Sequence, residues 1–171
     1  MTKTYYGTKQ LLGRPMTRQQ YLDYRGWQLP ADEDPADEGY LVEYLDGGSA
    51  NHPDHKGYIS WSPRDVFEQS YQPVTAMNFG HAIAALKTGA KVARAGWNGK
   101  GMFIALTPGS SIPSSQARSG ACAKRADEIG DPGATIDILP HIDMRAADGC
   151  IVVGWLASQT DMLADDWQII A

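Results

Sequence analysis

Asn78-Phe79-Gly80-His81-Ala82-Ile83-Ala84-Ala85-Leu86-Lys87-Thr88-Gly89, followed almost at once by Lys91-Val92-Ala93-Arg94, is the stretch that decides the fold. Asn78 is suited to cap a helix N-terminus. Phe79, Ile83 and Leu86 then recur at i, i+4 and i+7, which gives the helix one apolar face. Gly89 stops it with a residue at ease in the left-handed cap conformation. His81 is expected exposed on this helix. A strand follows over 91–94, a glycine-rich turn over 96–101, and a mostly apolar strand over 102–106 that belongs in the centre of a sheet.

Downstream, 107–137 is rich in proline, serine and glycine at its start and is expected to be irregular, with one short helix over 121–128. Loops of this length are usually functional or mobile. Residues 141–145 alternate, with Ile142 and Met144 on one face. Asp148-Gly149 is a hairpin turn signal. Residues 150–155 should return as a strand, and 167–170 should close the sheet. Between them lies Trp155-Leu156-Ala157-Ser158-Gln159-Thr160-Asp161-Met162-Leu163-Ala164-Asp165-Asp166-Trp167. Two tryptophans bracket a run of hydroxyl, amide and carboxylate groups. One reading is a binding wall for a planar ligand with polar edges. The other is a capped surface turn anchored by two core tryptophans.

Upstream, Thr17 and Gln20 have capping-box spacing and predict a helix to about Arg25, with Tyr21 and Tyr24 on one face. Residues 30–38 are acidic, contain two prolines and read as a loop. Strands are expected over 40–45 and 57–61. Ser62 is expected to cap a helix that has Pro63 at its first position, with Val66, Phe67 and Tyr71 forming its apolar face. His52 and His55 are spaced as metal ligands might be, with Asp54 between them. Without a second ligand cluster, the expectation is a solvated loop and no metal.

The whole reads as an α+β protein: a compact antiparallel β-sheet with short helices over 76–171, preceded by a small α+β extension over 1–75. The longest apolar runs are far below the ~18 residues that cross a membrane, and no secretory leader is visible at residues 1–10. Cys122 and Cys150 do not define a disulfide framework and are expected as free thiols.

The net charge is −5, unevenly spread. Residues 76–126 hold 7 of the 15 cations and none of the 20 acids. That local field suits a phosphate-bearing ligand, or else pairs with the acidic C-terminal block. The acidic total argues against duplex DNA, which requires neutralising many phosphates.

Catalytic signals are weak. No phosphate-cradling GxxxxGK run occurs, and 96–101 does not lead from a strand into a helix. Cys122, His141 and Asp143 have no spacing that supports a triad, and Ser158 lacks a glycine elbow. Trp97 suits either base stacking or the core, and Asn98 either a polar contact or a turn. A binder is favoured over a catalyst.

Residues 77–170, through 77–87, 92–102, Pro140-His141-Ile142-Asp143-Met144 and the Trp155 run, resemble the second type of Thoeris anti-defence protein. These are phage proteins that bind and hide nucleotide signals made by bacterial immune systems. The resemblance implies a compact antiparallel α+β fold and a homo-oligomer, a tetramer of two dimers with pockets between subunits. It implies a cyclic ADP-ribose-type ligand held without cleavage in the host cytoplasm, with no cofactor. Carried over by motif, Trp97 and Trp155 would contact the base. Asn98, Ser158, Thr160 and Asp161 would bond ribose hydroxyls or base edges, with Met102 and Ala157 close by. Arg94 or Lys100 would meet the diphosphate. Residues 1–72 look like a segment found beside this family's domain in other phage proteins. The alternatives are a sponge for cyclic di- or trinucleotides, a virion or interaction protein whose tryptophans are structural, and a hydrolase acting on the same signal.

Overall fold

A computed structural model describes residues 2–98 and 101–170. It contains two compact units, Met1–Gln72 and Pro73–Ala171. Both are α+β with antiparallel sheets.

In the first unit, β1 (Leu12–Pro15), β2 (Gly39–Tyr44) and β3 (Tyr58–Pro63) form a sheet in that order. β1 was not expected, because Leu-Gly-Arg-Pro carries no alternation; its pairing with β2 is what makes it a strand. Helix α1 (Arg18–Arg25) has the full Thr17–Gln20 capping box and ends on Gly26 at φ 69°. Tyr21 and Leu22 pack with Leu41 and Ile59, flanked by Tyr24 and Trp61. Tyr40, one residue along β2 and so on the other face, stacks on Phe67 of α2 (Arg64–Ser70), with ring centroids 4.1 Å apart.

Ser62 does not cap α2. It stays in β3 opposite Tyr40, and Pro63, paired with Gly39, takes the cap position with no side-chain bond. Strand pairing carries the chain past the local cap signal. Val66 is exposed rather than part of an apolar face.

The 46–57 connection is not solvated at its histidines: the side chains of His52 and His55 are only 16% and 13% exposed. Asn51 bonds both the N–H (2.8 Å) and the carbonyl (2.9 Å) of Ile59, and its own carbonyl accepts from Arg25 (3.0 Å). These bonds hold the loop against β3 and α1.

In the second unit, a five-stranded sheet runs β10-β4-β5-β8-β9. These are Trp167–Ile170, Lys91–Arg94, Phe103–Thr107, His141–Arg145 and Ile151–Val152. The apolar strand β5 is indeed central, and Ile104 is fully buried. Helix α3 (Phe79–Lys87) is capped by Asn78, whose side chain accepts from the His81 N–H at 3.0 Å. Its Ala82 and Leu86 pack with Val92, Ile104, Met77 and Trp167. His81 is half-buried rather than exposed. Met77 bridges to Trp167, and Ile169 donates to the Val74 carbonyl at 2.9 Å, so 73–77 lie along β10.

Two expectations fail here. Residues 107–137 are not an irregular loop. They form a second antiparallel pair, β6 (Ser110–Pro113) with β7 (Thr135–Ile138), that carries a 3-10 turn and helix α4 (Gly120–Ile129) between its strands. And 150–155 pairs only over two residues. β9 ends at Val152, Gly154 takes φ 75°, and Trp155 returns to the sheet by donating to the Ile142 carbonyl at 2.7 Å.

Candidate functional site

The tryptophan-bracketed run folds as a capped turn. Ser158 caps the short helix α5 (Gln159–Met162): its side chain accepts from the Asp161 N–H, and the Asp161 carboxylate accepts from the Ser158 N–H. That reciprocal pair is a capping box with aspartate in place of glutamate. Ser-x-x-Asp was legible as such, and it favours the turn reading of this stretch without excluding a wall beside it.

Three tryptophans meet around this turn. Trp97 lies edge-on to Trp155 (6.2 Å between centroids) and to Trp167 (5.4 Å), and Trp155 lies edge-on to Trp167 (6.2 Å). All three interplanar angles lie between 73° and 76°, which suits the ring quadrupoles. Trp167 is fully buried, whereas Trp97 and Trp155 keep part of their surface open. The two readings of these residues are thus divided among them: Trp167 is core, and the other two are both core-anchored and accessible.

Asp161 fixes this arrangement. Its carboxylate accepts from Trp97 Nε1 (3.2 Å), Arg94 Nη1 (3.0 Å) and Ser158 Oγ (2.6 Å), while its carbonyl accepts from Trp167 Nε1 (2.9 Å). Arg94 reaches further. Nη1 also donates to the Thr160 carbonyl at 3.1 Å, and Nε donates to Asp166 at 2.7 Å. Asp166 takes the Gly96 N–H at 2.7 Å as well. A Cβ at position 96 would lie 2.9 Å from that carboxylate oxygen and would push it away from the Gly96 N–H.

Electrostatics follow from these bonds. Burial pushes the Asp161 carboxyl up, but Ser158, Arg94 and Trp97 outweigh it and hold the acid below the ordinary aspartate range. Asp166 is held low chiefly by Arg94, with help from Gly96. Arg94 is raised, first by Asp166 and then by Asp161. The side chains of Arg94 and Asp161 are only 19% and 14% exposed, a degree of enclosure at which a charge pair is screened little by salt.

Of the residues picked from sequence, Arg94, Trp97, Trp155, Ser158, Thr160 and Asp161 come together here. Arg94 is tied to two carboxylates rather than open to a diphosphate. Asn98 and Thr160 are exposed, while Ala157 and Met102 are half-buried. Lys100 lies outside the described residues. Asp166 was missed, and so was the role of Trp167 as the third ring; the acidic Asp165-Asp166 ahead of Trp167 was the available signal. Around the turn, Val153, Leu156 and Leu163 are 72%, 89% and 81% exposed.

The Cys122–His141–Asp143 triad does not form a nucleophile and base. The ring nitrogens of His141 face the Leu139 carbonyl (2.9 Å) and Asp143 (3.5 Å), and Asp143 is bonded by Thr107 and by the Gly154 N–H (3.0 Å). Thr107 is the main cause of the low Asp143 pKa.

Fold and site together define a small antiparallel α+β domain with a tryptophan-walled, carboxylate-braced surface. The model of the Thoeris anti-defense 2-like domain family matches residues 77–170. Thoeris anti-defense 2 of Bacillus phage SP01 is 37% identical over 99 residues, which is 57% of this chain and 98% of that protein. The chain belongs to the Thoeris anti-defense 2-like family.

Proposed function

We propose that this is a phage anti-defence protein that binds a cyclic ADP-ribose-type signalling nucleotide at the Trp97–Trp155 surface and withholds it without cleaving it. One observation carries this reading. Trp97 is partly open, yet it is fixed at its Nε1 by Asp161 and along its edges by two other tryptophans. A ring immobilised beforehand loses little entropy when a base stacks on it.

In this reading Trp97 and Trp155 take the base, and Asn98, Ser158 and Thr160 supply polar contacts to ribose or base edges. Asp161 and Arg94 hold the wall in place and lend it charge, and Ala157 and Met102 border it. The open apolar side chains Val153, Leu156 and Leu163 suit cover by another subunit, in line with a homo-oligomer whose pockets are shared. No described helix is long and apolar enough to cross a membrane, and the reading puts the protein in the host cytoplasm.

Sequestration is favoured over hydrolysis by the state of the hydroxyl at the site. Ser158 Oγ donates to a carboxylate that is held ionised by Arg94, not to an imidazole. A serine so bonded is a cap rather than an activated nucleophile.

Titration calorimetry with cyclic ADP-ribose isomers and with cyclic dinucleotides tests the ligand. Saturable binding of an ADP-ribose isomer that weakens in Trp97→Ala, with the fold kept, is expected. Binding of cyclic dinucleotides alone would transfer the function to the second sponge class. Absence of any nucleotide binding would leave the tryptophans structural.

A further inference from the structure

Asp166, which the sequence did not single out, gathers the end of β4 just ahead of Trp97. Residues 94–97 form a tight turn, closed by the Trp97 N–H on the Arg94 carbonyl at 3.3 Å. The two N–H groups inside that turn both go to Asp166. Ala95 donates to its carbonyl at 3.0 Å, and Gly96 donates to its carboxylate at 2.7 Å. The other oxygen of the carboxylate accepts from Arg94 Nε at 2.7 Å. Backbone and side chain of one residue thus hold three successive residues. Asp166 is itself anchored, because Trp167 beside it is fully buried and pairs with Arg94 across β10 and β4.

The consequence falls on Trp97. Its Nε1 rests on Asp161 at 3.2 Å, which fixes the far edge of the ring. Its backbone end is fixed by the turn, and so by Asp166. Arg94 joins the two ends, with Nε on Asp166 and Nη1 on Asp161. A binding group works only if the contacts behind it hold it within about 0.5 Å of its place. The Asp166 side chain is 34% exposed, so water can take over its partners when it is removed. Its loss then loosens the turn without leaving a buried charge unpaired.

We propose that Asp166 is a positioning residue for nucleotide capture: it holds the 94–97 turn where Trp97 can present its face to the base, and acts through Trp97 rather than by contact with the ligand. This rests on the Trp97–Trp155 surface being the nucleotide site. Gly96 is the other half of the clasp. Its φ is not left-handed, so alanine fits its backbone. A Cβ there would still stand 2.9 Å from Asp166 Oδ2. That oxygen ends a rotatable side chain, so it is the oxygen that yields, and the Gly96–Asp166 bond is lost with it. Gly96→Ala therefore opens the clasp while every charge stays in place.

The test compares the full chain with Asp166→Ala, Gly96→Ala and Glu128→Gln. Glu128 pairs with Arg125 on α4, both exposed, and controls for loss of a surface ion pair. In the free protein, amide hydrogen exchange and fluorotryptophan NMR are read. Asp166→Ala and Gly96→Ala should each speed exchange of the residue 96 amide by about tenfold or more and loosen the Trp97 ring; Glu128→Gln should do neither. Calorimetry with cyclic ADP-ribose should then show binding weakened by about tenfold in both clasp variants. Adding Asp166→Ala to Trp97→Ala should weaken it no further, since the two act as one. Unchanged exchange and ring order in the clasp variants, or an additive loss in the double variant, overturns the proposal. Should the parent chain bind no nucleotide, the capture reading fails, and the free-protein measurements alone decide whether Asp166 positions Trp97. Should Asp166→Ala not fold, Gly96→Ala decides.

Discussion

Two buried polar clusters stand in this molecule, one per unit, and they are built from opposite inventories. Around Asp161 the charges are paired: Arg94 lies between two aspartates, Trp97 and Ser158 donate to the Asp161 carboxylate, and Trp167 donates to its carbonyl. Around Tyr24 the members are a phenol and two imidazoles, held by ring contacts and by the His55 bond to Glu43. The first cluster is complete and rigid, so its work is to hold a surface still. The second joins α1, β2 and the 46–57 loop, so its work is to hold that loop in place.

The contrast breaks most severely at Trp167. It is fully buried and touches all the rings of the site. Trp167→Ala should destabilise the second unit by about 3–5 kcal/mol, through lost burial and a cavity. Urea unfolding followed by circular dichroism measures it. A loss under about 1 kcal/mol would mean the tryptophan triangle is not a core.

Asp161→Ala comes next. It removes a buried partner of Arg94 and the carboxylate half of the α5 capping box together. Breaking a buried pair costs about 3–5 kcal/mol where enclosure is complete, and less is expected here because Asp166 still holds Arg94; a helix cap alone is worth about 1 kcal/mol. A loss of about 2–3 kcal/mol is expected, with increased mobility of Trp97 in time-resolved fluorescence anisotropy. Unchanged anisotropy would separate the wall from its brace.

Trp97→Ala should leave most of the fold and weaken nucleotide binding by roughly 5- to 150-fold, from about 1–3 kcal/mol of stacking. Unfolding instead would assign this ring wholly to the core.

Acid acts on the second unit through its aspartates. Asp161 and Asp166 are depressed in the folded state. Their contribution is complete above the unfolded aspartate value of about 3.9 and is lost as pH falls through the lower folded values. Stability of the second unit should therefore hold from pH 7 to about pH 4 and fall only below that. Thermal melts across that range measure it. A second unit that loosens at pH 6 would contradict the fixed-charge account.

Sequence carried the local signals well and the long-range ones poorly. Asn78 and Gly89 bound α3 as read, and the apolar 102–106 run became the central strand, because caps and apolar runs act within a few residues. Ser62 failed as a cap because β2 pairs it into β3, and a cap signal says nothing of a partner more than 20 residues away. The β6–β7 pair escaped because prolines and serines hid two strands that pair with each other across more than 20 residues. At the site, residues 155–167 and Trp97 were legible as aromatic and polar groups. That Asp161 ties Trp97 and Arg94 together depends on contacts across more than 60 residues of chain, which no local pattern encodes. His52 and His55 were noticed by spacing and expected in a solvated loop; their contacts with Tyr24 and Glu43, from two other elements, bury them and lay beyond any local pattern.

The smallest effect on stability is expected at the surface. Leu156→Asp and Val153→Lys should each change stability by less than about 0.5 kcal/mol. If these side chains meet another subunit, light scattering should show a smaller assembly; an unchanged mass would leave them as ordinary exposed residues.

Whether the rigid cluster serves capture or turnover is settled by what leaves the protein. Excess protein is incubated for hours with a cyclic ADP-ribose signal, denatured by heat, and the supernatant analysed by mass spectrometry and on the signal's receptor. Intact signal released in stoichiometric amount, with full receptor activation, is expected of a sponge. Linearised or cleaved nucleotide in excess of the protein would make this an enzyme and contradict the assignment.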